Sequence, residues 1–221
     1  MPFNRAALSF FAVICAAHAQ TAPADPSEYS QKHIFGIIPN FRTSPTLDEY
    51  KPLRPKEKFE IAKQDSFDRG TVALALAFAG VDQLNNANPS FGQGVEGYAH
   101  RFGAAYGDFV IGNYMTEAIF PTVLHQDPRF FRRGTGSKFS RLAYAAGQII
   151  VTHSDSGRTA FNFSEIAGNS TAVAISLAYY PDGRTATDAG TQLAGQLIVD
   201  AASNVLKEFG PDLTRRFSRK H

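Results

Sequence analysis

The sequence predicts an all-α fold: a compact bundle of about five to six helices, preceded by a proline-rich extended arm. Three observations carry this. No window alternates polar and apolar residues strictly with period two, the mark of a half-buried strand. The run Thr71-Val-Ala-Leu-Ala-Leu-Ala-Phe-Ala-Gly-Val81 is apolar on every side, as a buried helix is. Small residues also recur every fourth position: Ala99, Gly103 and Gly107; Ala143 and Gly147; Gly168, Ala172 and Ser176; Thr191, Gly195 and Val199. Glycine costs a helix about 1 kcal/mol against alanine, so its repeated use implies close backbone approach between helices.

Residues 1–19 read as a secretory leader. Arg5 supplies the positive start, Ala6 to Ala17 the apolar stretch, and Ala17-His18-Ala19 a small-x-small cleavage site. The apolar stretch is too short to span a bilayer. Ile14 before Cys15 argues against a lipidation signal. Cys15 is the single cysteine, so cleavage leaves no disulfide, thiolate metal site or cysteine nucleophile.

Residues 20–54 form the arm, where Pro23, Pro26, Pro39, Pro45 and Pro52 exclude long helices. Within it, Ile34, Phe35, Ile37, Ile38 and Phe41 are expected to dock on the body. The helical domain spans 55–212. Pro55 suits the first turn of a helix to about Lys63, and a second runs from about Phe67 to Leu84. A third runs from about Gly92 to Leu124, bent at Pro121. A fourth covers about Lys138 to Thr152, and a fifth Ser164 to Tyr180, capped by Asn162 or Ser164. The sixth, Ala186 to Glu208, is expected to stop at Gly210-Pro211.

Charge narrows the partners. There are 22 Lys+Arg, one of them Arg5 in the leader, against 20 Asp+Glu. Arg215, Arg216, Arg219 and Lys220 gather in a basic tail, 213–221, leaving the body net acidic. Such a tail suits a solvated end or contact with anionic lipid. The remaining charges alternate in sign, and no nucleic-acid recognition motif is present, so nucleic acid is not an expected partner. The third helix carries Glu96, His100, Arg101, Asp108, Asn113 and Glu117. The sixth carries a stripe of Gln192, Gln196, Asp200, Asn204 and Lys207. Charges of this kind are costly in a bilayer, so peripheral association is favoured over spanning, unless the polar stripes face each other around a wet interior.

No two histidines stand at i, i+4, so no helix-borne metal site is expected; Gly92-Gln-Gly94-Val-Glu-Gly97 fits the Gly-x-Gly-x-x-Gly spacing but has no preceding strand and reads as a flexible helix entry, so no cofactor is expected. No Gly-x-Ser-x-Gly elbow and no phosphate loop of the Gly-x-x-x-x-Gly-Lys type occurs either. His125-Gln-Asp127 reads as a helix end followed by an Asp-Pro turn. Asp127-Pro-Arg129-Phe-Phe-Arg-Arg133 has two readings. Arg129, Arg132 and Arg133 clamp a phosphate or lipid headgroup, with Phe130 and Phe131 at the acyl boundary. In the other, favoured reading, the phenylalanines plug the core and Arg129 pairs with Glu117 or Asp108.

His153-Ser-Asp-Ser156-Gly157-Arg158-Thr-Ala-Phe161 resembles the central motif of the type-2 phosphatidic acid phosphatases, helical enzymes whose Pro-Ser-Gly-His loop grips phosphate. The match departs where their chemistry lies. Asp155 replaces the proline, Arg158 replaces the acid histidine, and Gln196 stands four residues before Asp200 where the nucleophile belongs. The resemblance therefore implies anion binding by His153, Ser156, Gly157 and Arg158 without an intact catalytic set.

A broader resemblance rests on Phe35-Gly-Ile-Ile-Pro-Asn-Phe-Arg42, Glu96-Gly-Tyr-Ala-His-Arg-Phe-Gly-Ala-Ala-Tyr-Gly107, Leu124-His-Gln-Asp-Pro-Arg-Phe-Phe131, Ala178-Tyr-Tyr-Pro181 and Asn204-Val-Leu-Lys-Glu-Phe209. These segments look like those of a family of secreted bacterial envelope proteins without an assigned activity, which implies export and a single domain. The expected function is a non-catalytic helical envelope protein associating with membrane lipid or another envelope component. The alternative is a divergent phosphatase-like protein binding or hydrolysing a phosphorylated lipid.

Overall fold

The computed structural model of the protein describes residues 33–34, 38–44 and 50–218. Residues 1–19, expected to be a leader, together with Phe35, Ile37 and the end of the basic tail, lie outside these residues, as do the expectations placed on them. The architecture is a compact, mostly helical bundle with a few short strands.

Most of the helices start where the sequence supplies a cap or a first-turn proline. α1 (Pro55–Ser66) opens on proline, with Glu57 Oε2 accepting from the Arg54 N–H at 2.7 Å. α2 (Arg69–Leu84) is capped by Asp68, whose carboxylate accepts from the Gly70 N–H at 2.7 Å. α3 (Gly94–Asn113) runs on into a π-helical turn (Tyr114–Ile119) and a last α turn (Phe120–Val123). The expected bend at Pro121 takes this form: proline offers no N–H to the carbonyl four residues back, at Glu117, and the wider turn sits there. α4 (Lys138–Gly147) is capped by Ser137. α5 (Phe163–Ser176) is capped by Asn162, which accepts from the Glu165 N–H at 3.0 Å. α6 (Ala186–Ser218) closes the chain.

Seven short strands depart from the helix-only expectation. β1 (His33–Ile34) pairs antiparallel with β2 (Ile38–Pro39), and β3 (Thr43–Ser44) parallel with β5 (Phe130–Phe131). β4 (Gln126–Asp127), β6 (Val151–Ser154) and β7 (Thr159–Phe161) form an antiparallel sheet with β6 in the centre. The fourth helix, expected to reach Thr152, therefore ends at Gly147 and its last residues become β6. Strands of two to four residues are too short to show a period.

The sixth helix does not stop at Pro211; it continues to Ser218. Arg132 Nε and Arg141 Nη2 donate to the Glu208 carbonyl at 2.9 and 2.8 Å, which supports the backbone beside the proline. Gly210 lies beneath Ile34 of the arm. It is a close-approach residue and not a terminator.

Of the four small-residue stripes, that of α5 is packed. Gly168, Ala172 and Ser176 are all buried, and a Cβ on Gly168 would fall 2.8 Å from Thr116 Cγ2. Gly103, Gly147 and Gly195 have no atom within 4 Å of that position. α3 instead turns Gly97, Arg101, Ala104 and Ala105 inward. Arg101 there donates to the Ala87, Asn88 and Gly92 carbonyls and to Gln83, organising the turn between α2 and α3.

The distribution of side chains is inverted. Buried apolar residues are mostly alanines, while Arg101, Lys58, Glu117, Glu208 and Asp127 are among the largest fully buried side chains. Leu74, Leu76, Phe78, Val81 and Leu84 of α2 face outward. Among the described residues, no helix is long and apolar enough to cross a membrane.

Candidate functional site

Six charged side chains from five elements meet inside the bundle: Arg42 of the arm, Asp65 of α1, Glu117 of the π turn, Glu165 of α5, and Asp200 and Lys207 of α6. Helical spacing delivers them. Asp200, Asn204 and Lys207 share the inner stripe of α6, and Glu165 and Asn169 that of α5. The polar stripe of the sixth helix thus faces charged side chains of the arm, α1, the π turn and α5. The sequence did not single out Arg42, Asp65 or Glu165, because each becomes a site residue only when distant segments are brought together.

Arg42 spans the cluster. Its Nη1 donates to Glu117 Oε1 at 3.2 Å, Nη2 lies 3.8 Å from Glu165 Oε2, and Nε donates to the Pro128 carbonyl at 2.9 Å. Asn169 Nδ2 bridges Glu165 Oε1 and Asp200 Oδ2 at 3.3 and 3.1 Å. The carboxyl groups also touch in pairs, Asp65 with Glu117 and Glu165 with Asp200. Burial, reinforced by the neighbouring carboxylate, pushes Glu165 up to about 8 and Glu117 well above the usual carboxyl range. Burial raises Asp65 and lowers Lys207. Burial opposes the charge of Arg42, but Glu117, Glu165, Asp200 and Asp65 together outweigh it and raise its pKa.

Between the cluster and the strands lies a small, partly open cavity of about 20 Å³, lined among others by Arg42, Thr116, Gln148, Ser164, Glu165 and Asn204. That is space for about one water.

Beyond the cavity, a second polar network ties the strands together. Tyr50 Oη donates to Asp127 Oδ2 at 2.8 Å and to the Ser154 carbonyl at 3.0 Å. Arg129 binds the same carboxylate through Nε and Nη2, with the Tyr50 and Phe131 rings against its guanidinium. Lys58, buried, donates to the Pro121 and Gln126 carbonyls and to both Asp155 oxygens at 2.8–3.0 Å.

The residues singled out in the sequence fall into two groups. Ser156, Gly157 and Arg158 occupy the tip of the β6–β7 hairpin, with β7 standing between them and α5. The tip is closed by Ser154 N–H to Arg158 O and Gly157 N–H to Ser154 O, both at 2.8 Å, with Gly157 at φ +79°. That backbone value calls for glycine in a hairpin turn. Arg158 Nε donates to Ser156 Oγ at 3.2 Å. His153 points away from this tip into the layer beneath: it packs edge-on against Phe131, its Nδ1 is buried without a hydrogen-bond partner, and burial lowers its pKa.

The three arginines of the Phe-Phe segment form internal contacts. Arg129 pairs with Asp127, in place of the expected Glu117 or Asp108. Arg42 takes Glu117, and Tyr179 and Tyr180 both donate to Asp108. Arg132 pairs with Asp212 at 2.7 Å, and Arg133 donates to Ser140 Oγ and lies over the Tyr144 ring. Phe130 and Phe131 are core plugs, each 3% exposed.

Among the described residues, no group of three or more His, Asp or Glu side chains is arranged to hold a metal ion. Comparison of the chain with protein-family models, curated proteins and solved structures finds no match.

Proposed function

We propose that the protein is an exported, non-catalytic helical protein of the cell envelope that associates peripherally with membrane lipid through the outward face of α2. One observation carries this reading. From Gly70 to Val81 the exposed positions of α2 are Ala73, Leu74, Leu76, Ala77, Phe78 and Val81, with no charge among them, and Leu84 beyond is 88% exposed. At 1.5 Å per residue, this stretch is about half the roughly 30 Å of a bilayer's hydrocarbon core. An apolar arc of that length suits a helix lying in the interface. Phe78 meets Phe109 at 5.9 Å and so extends the apolar surface onto α3. Lipid is the favoured occupant because it accepts a convex, chargeless surface without a matching pocket, and the leader directs the chain toward a membrane.

Vesicle flotation tests this. The mature chain is expected to float with phospholipid vesicles and to stay bound at high salt, while the Leu74→Gln/Phe78→Gln variant stays at the bottom of the gradient. A wild-type chain that fails to float, or that buries this face in a dimer, refutes the reading.

A further inference from the structure

Asp65 Oδ1 and Glu117 Oε2 are buried and have no hydrogen-bond donor. Their side chains nevertheless touch. An ionised carboxylate only accepts, so two in contact leave acceptors facing each other and repel. One proton between them makes one a donor and satisfies both. Glu165 and Asp200 repeat the arrangement, with Asn169 donating to both.

The charge count points the same way. Four carboxylates set against Arg42 and Lys207 would leave a net negative charge deep in the bundle. One proton on each pair brings the cluster to neutrality, the state in which burial is least costly. The further ionisable groups facing it are Asp68, paired with His33, beside Asp65, and the Asp127–Arg129 pair across the cavity. Neither supplies the missing positive charge, because Arg129 is already paired with Asp127 and the His33 ring is already bound to Asp68.

We propose that the cluster is a two-proton binding site that latches the bundle: one proton joins α1 to the π turn through Asp65 and Glu117, the other joins α5 to α6 through Glu165 and Asp200, and losing either sets two negative charges across a helix seam. The raised pKa values of Glu117, Glu165 and Asp65 agree in direction. Rising pH thus loosens these two seams first. The α2–α3 contact carries no carboxyls in hydrogen-bonding contact: Asp82 and Asp108 interact across it, but Asp82 has Arg101 nearby and Asp108 accepts from the Tyr179 and Tyr180 hydroxyls. The proposal does not depend on what covers α2.

The test is carbon-detected NMR of the side-chain carboxyls of the mature chain, paired with amide exchange corrected for its intrinsic pH dependence. Two carboxyls protonated at neutral pH are expected. Past their titration, protection of α5 should fall about tenfold per pH unit, while that of α2 stays level. Glu165→Gln replaces the shared proton by a fixed donor, so it should keep α5 protected at alkaline pH and leave the Asp65–Glu117 titration in place. Four ionised carboxyls at neutral pH, or α5 protection in the wild-type chain that is flat to about pH 9, overturns the proposal whether or not the variant folds.

Discussion

Ile34 of the arm rests directly on Gly210 of α6: a Cβ built on the glycine would lie 2.6 Å from Ile34 Cγ2 and 3.2 Å from Cδ1. The contact brings the beginning of the described chain against its last helix, and the absence of a side chain at Gly210 is what allows it.

Gly210→Ala should therefore unseat the arm. An overpacked contact of this kind costs about 1–3 kcal/mol. The expected result is a lower thermal midpoint and faster amide exchange at residues 33–34, both restored in part by Ile34→Ala in the same chain.

Two other glycines separate cleanly in sign. Gly168→Ala should destabilise, since its Cβ would meet Thr116 Cγ2 at 2.8 Å and the Met115 backbone at 3.1 Å. Gly103→Ala adds a methyl to open space inside a helix and should stabilise by about 0.5–1 kcal/mol. Urea midpoints of the two variants should move in opposite directions.

Stability should fall as pH rises from mildly acidic to slightly alkaline. Glu165 binds its proton more tightly in the folded chain, at about 8 against an ordinary 4.5, so between those values the folded state holds the extra proton. Stability is then greatest below the lower value and declines until the upper one is passed. Glu117 acts in the same direction. Urea denaturation across this range measures the slope, and Glu165→Gln should flatten it.

Lys58→Met should be among the most damaging single changes. It removes one donor from three acceptors at once and leaves the Asp155 carboxylate and the Pro121 and Gln126 carbonyls uncompensated. Breaking a buried pair by removing one partner costs about 3 kcal/mol. Ser156→Ala and Arg158→Ala, at the exposed hairpin tip, should each change stability by less than about 0.5 kcal/mol.

The parts of the fold legible in the sequence are those with local causes. Proline at the start of α1, Asn162 before α5 and the four-residue spacing of Gly168, Ala172 and Ser176 act within a turn or two of chain. The polar stripe of α6 was equally readable, because helical spacing alone puts Asp200, Asn204 and Lys207 on one side. The buried apolar character assigned to the run 71–81 was half right: Ala75 and Ala79 are buried, but the leucines between them face outward. Composition shows that a helix is apolar on all sides but not which sides are covered. The hairpin at 151–161 escaped because its central strand is held by β4, a segment well upstream in sequence. Arg42 escaped for the same reason. Nothing near it in the chain indicates that its carboxylates come from α5 and the π turn.

The meeting of Ile34 and Gly210 also has a consequence for how the molecule is made. A ribosome releases the arm long before α6. Until residue 210 exists, Ile34 has no seat. β3 can pair with β5 once Phe130 and Phe131 have appeared, but β1 must wait for nearly the whole protein. A contact between such distant points in the sequence closes slowly. The nascent chain thus spends most of its synthesis with Ile34 unplaced, and seating of the arm is a late event set by the arrival of α6.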